Sequence, residues 1–426
     1  MKYDLIVIGA GPGGLMAART AARDGLKVLL IERKRNITEI NRACAQIFYI
    51  NKLTANPVTS KPTPKSDGYI EQVSCEVLPN RAKFNYLDLG ISLDYEGPLR
   101  PYSNWLQYSP SGHCVFRYRQ NHFPWGYFYF KETFLAGLLK DVEAAGVELM
   151  TETTALGATN TSTGVEVRVS TASAERVIEG KALIAADGLS SRIVESLGLN
   201  KDRPQRPPRQ ILVYILEGVE CPYHDSAWIS WAIPSLTGSG SIWMALTANN
   251  LNMLGSGSSK DNPPASIIDR LMKLPPYAPW FARAKIVGKM GCSVASRPPL
   301  KQVVSGNVLV VGDAGAAVET WIQGAVASAY KAVKSLERQW AGEKGFDEYL
   351  AWWQKAFAFN KPEYFQIIAT SSSLISRFND RDMDDIYQMF KDEVGIPTLM
   401  VAANREMLKQ RRPDLYEKMT APPKGH

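Results

Sequence analysis

The sequence predicts an α/β protein in which a parallel sheet with flanking helices is interrupted by an antiparallel one, and three observations carry that prediction. First, the apolar run Asp4-Leu5-Ile6-Val7-Ile8 leads through a glycine-rich turn into an Ala-rich segment, 15–23, and a second apolar run, 27–31. Second, two more apolar runs, 183–186 and 307–311, end in Asp187-Gly188 and Gly312-Asp313 far down the chain. Third, the stretches 95–130 and 211–248 are crowded with aromatic and β-branched residues. Short continuous apolar runs are typical of strands buried on both faces of a parallel sheet, and aromatic-rich alternation of antiparallel strands. A strand–helix–strand opening also implies a parallel pairing with a helical crossover.

In chain order, 134–145 has the spacing of an amphipathic helix and Val147-Glu148-Leu149-Met150 that of a strand. Residues 165–169 and 176–178 pair as a hairpin, and a Gly/Ser/Asn/Pro-rich loop is expected over 255–264. A helix is expected from about Gly324 to Trp340, and the last eighty residues read as helices with polar linkers. The resulting division is a discontinuous domain of 1–95, 131–205 and 285–345, an inserted antiparallel-sheet domain of 96–130 and 206–284, and a helical region of 346–426.

With 45% hydrophobic and 21% charged residues over 426 positions, the chain has the composition of a globular protein with a core large enough to need no staple. Its net charge of +7 is spread out, and the one dense basic stretch, Arg203-Pro204-Gln205-Arg206-Pro207-Pro208-Arg209, reads as a solvated linker, so no nucleic-acid partner is expected. Cys44, Cys75, Cys114, Cys221 and Cys292 stand far apart, and His113, His122, His224 and His426 have no ligand spacing, so no metal is expected. The first apolar run is only a strand long, and no later run reaches the roughly 18 apolar residues of a spanning helix. A cytoplasmic protein is expected, with peripheral membrane contact left open.

Gly9-Ala10-Gly11-Pro12-Gly13-Gly14 holds a GxGxxG spacing directly after a strand and at the opening of a helix. In such a turn Gly9 allows the tight bend, Gly11 lets backbone approach a pyrophosphate, and Gly14 lets helix and strand pack closely. The helix end offers N–H groups and a positive dipole end to the phosphates. Glu32, with Arg33 after it, stands at the tip of the second strand, where a carboxylate accepts from a ribose diol. These residues predict a Rossmann-like dinucleotide site without separating FAD from NAD. The distant turns favour FAD: Asp313 is placed for ribityl hydroxyls, and the helix near Gly324 and Ala325 for the pyrimidine edge of a flavin, where negative charge collects on reduction. Ala186-Asp187-Gly188, with Ser190 and Arg192, supplies a third mark in the expected order.

At this point the chain resembles the glutathione-reductase-type flavoproteins of the aromatic-hydroxylase class, and within them the geranylgeranyl reductase family, over about residues 1–340. Arg42-Ala43-Cys44-Ala45 is similar to that family's Lys/Arg-x-Cys-Gly element, and Ser230-Trp231-Ala232-Ile233-Pro234 to its YxWxFP signature. The resemblance implies one FAD and a cysteine, Cys44, beside the isoalloxazine ring. It puts Trp231 in the wall of a lipid cavity and Lys131 where relatives carry an FAD-contacting arginine. The cofactor set that follows is Gly9, Gly11, Gly13, Gly14, Glu32, Arg33, Cys44, Ala45, Lys131, Ala155, Asp187, Gly312, Asp313, Gly324 and Ala325, with Cys44 and Trp231 as catalytic residues. Departures are Ala45 for the usual glycine, Ser230 shifted from the expected aromatic, and a loop, 314–324, that lacks the usual proline and brings Glu319, Trp321 and Gln323 near the flavin.

The implied activity is reduction of carbon–carbon double bonds in an apolar or lipid substrate by hydride from reduced FAD. No second GxGxxG follows, so the electrons are expected from transiently bound NAD(P)H or a ferredoxin-like protein. Two alternatives stand beside it. One is a monooxygenase or halogenase, since Trp231-Ala232-Ile233-Pro234 also fits most of WxWxIP, although Trp228 lies three residues upstream where two are needed and Lys52 is the nearest candidate lysine. The other is an electron-transfer flavoprotein fed by a partner.

Overall fold

The parallel sheet forms where the apolar runs lie. A computed structural model of the chain describes residues 2–49, 73–78, 80–119, 124–205, 207–222, 225, 227–238, 240–295, 297–316, 321–356 and 374–421. Lys52, His122, Phe123, Arg206, His224, Glu319 and His426 lie outside the described residues. β1 (Tyr3–Ile8), β2 (Val28–Ile31), β11 (Glu148–Met150), the second half of β14 (Glu175–Ala185) and β21 (Val308–Val310) run parallel in the order β11-β2-β1-β14-β21. The first half of β14 turns instead to antiparallel pairing with β13 (Val165–Ser170), which pairs with β12 (Thr154–Asn160). β20 (Val304–Ser305) closes the far edge on β21. Leu5, Ile6, Val7, Leu183 and Ile184 are wholly buried, as strands covered on both faces must be. Helix α1 (Pro12–Arg23) packs against α2 (Lys131–Ala144), with an Arg19–Asp141 ion pair of 2.6 Å between them, and against α6 (Trp321–Trp340).

Two small sheets join this core to the insert. β4 (Val73–Leu78), β5 (Arg81–Tyr86) and β6 (Ile91–Tyr95) form a meander that buries Phe84, Tyr86, Leu93 and Tyr95. β3 (Ile47–Tyr49), β10 (Gly126–Phe128) and β7 (Arg100–Tyr102) form the second, and Phe48 stacks on Phe84 at 3.8 Å. The insert proper is a seven-stranded sheet of order β19-β15-β18-β17-β16-β8-β9. Its strands are β8 (Asn104–Tyr108), β9 (Cys114–Arg119), β15 (Arg209–Glu217), β16 (Ala227–Trp231), β17 (Ser241–Leu246), β18 (Asn252–Ser258) and β19 (Lys285–Val294), all antiparallel to their neighbours except β16 with β8.

Residues 285–294, given to the discontinuous domain by the sequence, are instead β19 at the edge of the insert's sheet, because they pair with β15. Three further expectations change. The glycine-rich loop of 255–264 is strand as far as Ser258, because a side chain at Gly255 would collide with the Trp243 indole lying across it. Glycine here is a close-packing requirement, not a turn signal. The basic stretch 203–209 is exposed at Pro204, Gln205, Pro207 and Pro208, as a solvated linker would be, but its end arginines are tied down: Arg203 donates to the carbonyls of Pro298 (2.8 Å) and Gly315 (2.9 Å), and Arg209 to that of Gly257 (2.9 Å). Third, α6 begins at Trp321, so Gly324 lies within its first turn.

Helices α3 (Arg192–Ser196), α4 (Pro234–Thr237) and α5 (Pro264–Leu271) sit at strand ends or on the insert's outer face. The C-terminal helices divide between the two cores. α7 (Gly345–Ala356) joins the parallel-sheet core, where Tyr349 donates to Val310 O (2.8 Å) and Trp353 to Leu300 O (2.8 Å). α8 (Asp380–Met389), α9 (Pro397–Ala403), α10 (Arg405–Arg411) and α11 (Pro413–Thr420) cover the β8–β9 end of the insert, meeting Val115 and Ala232. Among the described residues no helix is long and apolar enough to cross a membrane.

Candidate functional site

The parallel strand order reverses direction between β1 and β14, and the crevice at the carboxyl ends of these strands is where such sheets bind ligands. Three segments distant in sequence meet there. Gly9 closes β1 with φ +95°, and a Cβ on it would lie 2.5 Å from the carbonyl oxygen of Ala186 at the end of β14. A Cβ on Gly14 would overlap the Gly9 carbonyl, so only glycine permits α1 to start so close to β1. On the other side Gly13 faces the backbone of Ala325 in α6, and Ala325 in turn lies against Gly312. Gly11, the N-cap of α1, has open space around the position of a Cβ and no side chain caps the helix. The first turn of α1 thus presents backbone N–H groups at an unobstructed turn.

The polar side chains around the crevice differ in state. Glu32 is buried, and its Oε2 accepts from Ala10 N–H (2.7 Å) and its Oε1 from Lys34 N–H (2.9 Å). It therefore clamps the glycine turn, while each oxygen keeps a further lone pair. Lys34 Nζ donates to the carbonyls of Ile37 (2.6 Å) and Glu39 (3.0 Å), and burial, then Lys131, lowers its pKa. Lys131, the first residue of α2, donates its N–H to Gln46 Oε1 (2.8 Å). Arg33 is exposed, and Ala155 is buried in β12, which leaves the Glu32 strand end through Thr153 N–H donating to Glu32 O. Asp187 Oδ2 accepts from Arg192 N–H (2.9 Å), whereas its Oδ1 is enclosed without a hydrogen bond, and desolvation raises the carboxyl above its ordinary range. Asp313 is partly exposed in the turn Gly312–Ala314, with the Arg203 guanidinium bound to the carbonyl of Gly315 behind it.

Residues 43–45 approach the insert. Ala43 and Ala45 pack on a cluster of Ile47, Tyr102, Trp125, Phe128, Trp228 and Met253, and Cys292 of β19 reaches Ala43 O at 3.9 Å. Cys44 between them is partly exposed. The same sheet face carries Trp243 stacked on Trp228 (4.5 Å), and Trp105 stacked on Trp125 (5.6 Å). Trp231 is not there. Side chains alternate along β16, so Ile229 and Trp231 point to the opposite face, where Trp231 packs among Tyr108, Tyr277 (5.7 Å) and Trp280 (6.2 Å). The structure brings Ala43 and Ala45, on either side of Cys44, onto the Trp228 face and places Trp231 on the opposite one. The period-two pattern of β16 held that information; the facing of Arg203 to the 312–315 turn had no local signal. Trp321 is at the exposed start of α6, and Gln323 is buried within it.

The residues present suit a dinucleotide: a turn that any side chain would fill, a helix end without a side-chain cap, a clamped acceptor in Glu32 and an enclosed, unbonded oxygen on Asp187. The family model for FAD dependent oxidoreductases matches residues 4–37. The chain is 22% identical to digeranylgeranylglycerophospholipid reductase 1 of Methanococcoides burtonii over 98% of its own length and 96% of that protein. A geranylgeranyl bacteriochlorophyll reductase-like protein of Thermoplasma acidophilum superposes with a TM-score of 0.69 at 19% identity, covering 98% of both chains. A p-nitrophenol 4-monooxygenase of Pseudomonas putida superposes with a TM-score of 0.66 at 16% identity, again over 98% of both.

Proposed function

We propose that this chain, an FAD-dependent oxidoreductase, reduces carbon–carbon double bonds of a long apolar substrate laid along the face of the seven-stranded sheet. The observation that carries the reading is the packing of Ala43 and Ala45, the two neighbours of Cys44, on the Trp228 face, which joins this segment to an aromatic surface. In this reading the 9–14 turn and the start of α1 hold the pyrophosphate, Glu32 the ribose, and Asp313 with the start of α6 the flavin end. Bound FAD supplies the hydride. Cys44 holds a proton for the second carbon, and Tyr129 stands behind it as a reserve. Burial, with Cys44 as the next contributor, pushes that phenol well above its usual range, so it keeps its proton at neutral pH.

The partly exposed rings of Trp105, Tyr118, Phe130 and Trp243 form the wall that orients the substrate and excludes water. Trp231 stiffens the sheet from its other face. The relatives' names support an isoprenoid lipid as substrate. Electrons from NAD(P)H or a ferredoxin-like protein, and peripheral contact with the bilayer that holds such a lipid, complete the proposal. The test is anaerobic reduced protein mixed with a geranylgeranyl lipid. Flavin reoxidation with a product two hydrogens heavier is expected, and Cys44→Ala should slow it at least about ten-fold at unchanged FAD content. Oxygen incorporation into product under air, without anaerobic reduction, would overturn the reading in favour of a monooxygenase.

A further inference from the structure

We infer that the loop 33–42 beside the cofactor crevice is the docking surface for the electron donor, and that the donor it fits is a small acidic one-electron carrier protein. This rests on the reading above that electrons arrive from a separate donor, and adds where and by what chemistry that donor is held. The loop carries four cationic residues, Arg33, Lys34, Arg35 and Arg42, against one acidic, Glu39. Lys34 is turned inward, where its Nζ donates to the carbonyls of Ile37 (2.6 Å) and Glu39 (3.0 Å). Its N–H ties the loop to Glu32, Ile37 is buried, and Asn36 Oδ1 accepts from the N–H (3.1 Å) and hydroxyl (3.0 Å) of Thr38. The backbone is thus folded around an ammonium, and the surface it offers is already formed.

Outward the loop presents Arg33, Arg35 and Arg42, all exposed. Among the described residues none of the three has an ion-pair partner, whereas Arg19 and Arg23 share Asp141, and Arg338 holds Glu343 and Glu348. Arg33 and Arg35 follow directly on Glu32, which accepts from Ala10 N–H in the crevice, and Arg42 stands two residues before Cys44. A partner seated on them lies against the flank of the crevice. A bilayer also attracts cations, but holding to it takes apolar side chains that enter the lipid, and here Ile37 is buried and Ile40 partly so. A nicotinamide nucleotide needs a glycine turn for its pyrophosphate, and the one GxGxxG of the chain is already part of the crevice. Guanidinium groups spread over ten residues instead match the carboxylates of an acidic protein surface, steer its approach and set its orientation. Two reduced carriers each give one electron, two protons come from water, bound FAD becomes its dihydro form, and both carriers leave oxidised.

The test measures binding of an oxidised two-cluster bacterial ferredoxin, an acidic carrier, to the FAD-loaded protein, and anaerobic bleaching of the flavin by the same carrier when reduced. Binding should weaken at least about ten-fold between roughly 0.05 and 0.3 M salt. Arg35→Glu and Arg42→Glu should each raise the dissociation constant about three- to ten-fold and slow bleaching at limiting carrier in step, with Arg35→Ala between them and the wild type. Arg405→Glu, an exposed charge reversal on α10, should change neither. Photoreduction, which needs no docking, should bleach Arg35→Glu as fast as the wild type. Lipid turnover by photoreduced wild-type protein, run beside it, judges the reductase reading separately. Carrier binding that ignores salt, survives both reversals or is matched by the basic carrier cytochrome c would overturn the inference. So would a carrier that neither binds nor bleaches the flavin, whether NADPH bleaches it or not. Capture of the holoprotein by phosphatidylserine vesicles in place of the carrier, lost in Arg35→Glu, would make the loop a bilayer contact and overturn it as well.

Discussion

Asp187 and Glu32 are both carboxylates at strand ends, yet their surroundings set them different tasks. Glu32 accepts a backbone N–H on each oxygen and holds the glycine turn in shape. Asp187 accepts the amide of Arg192 on one oxygen only, and burial raises its pKa above the ordinary 3.8, against the opposing pull of Ser191 and the local amides. A carboxyl raised in the folded state favours folding most when protonated. Its contribution is complete below 3.8 and is lost as pH rises through the raised value. In FAD-free protein Asp187→Asn, which imitates the protonated form, should therefore melt above the wild type at neutral pH. The gap should close on acidification below that window. Melting curves across pH check this, and a gap independent of pH would contradict it.

At the scale of elements, β17 and β18 show how a strand can be written around one ring. Gly255 exists to admit the Trp243 indole, which then stacks on Trp228 and completes the aromatic face. Gly255→Ala should displace that ring and cost about 1–3 kcal/mol, as overpacking does. Adding Trp243→Ala should recover part of the loss, since the collision disappears with the ring. Urea denaturation of the two single variants and the double variant measures the coupling. Simple additivity would show that Gly255 serves some other purpose. The C-terminal element is tied on by its own polar clamp: Asp384 of α8 accepts from Ser111 N–H (2.8 Å) and from the hydroxyls of Ser109 and Ser111, and Asp380 from Ser235 N–H (2.9 Å).

For the whole molecule, the crevice is assembled from residues 9–14, 186–191 and 312–315, so a ligand spanning them ties together three segments distant in sequence. A ligand that binds only the folded state adds about 2.7 kcal/mol at one hundred times its dissociation constant. The melting temperature of the apoprotein should climb with the logarithm of FAD concentration, and Glu32→Ala and Asp313→Ala should displace that dependence to higher concentration. Tryptophan fluorescence, with Trp353 in the parallel-sheet core and Trp228 in the insert, follows the transition. Indifference of the melting temperature to FAD would remove these residues from the cofactor site.

The sequence by itself determined the parallel strands, the βαβ opening and the order of the three crevice turns. Each shows in local pattern: continuous apolar runs for doubly covered strands, and a glycine such as Gly14 where the start of α1 meets the Gly9 carbonyl. It also marked Cys44 and the aromatic wealth of the insert. Only the tertiary structure decided which tryptophans meet the segment around Cys44, because strand pairing and register choose the face for Trp228 and Trp231 alike. The same holds for Arg203, whose partners are 95 and 112 residues away. A side chain's neighbours along the chain set its backbone, but its chemistry is set by partners that folding delivers from a distance.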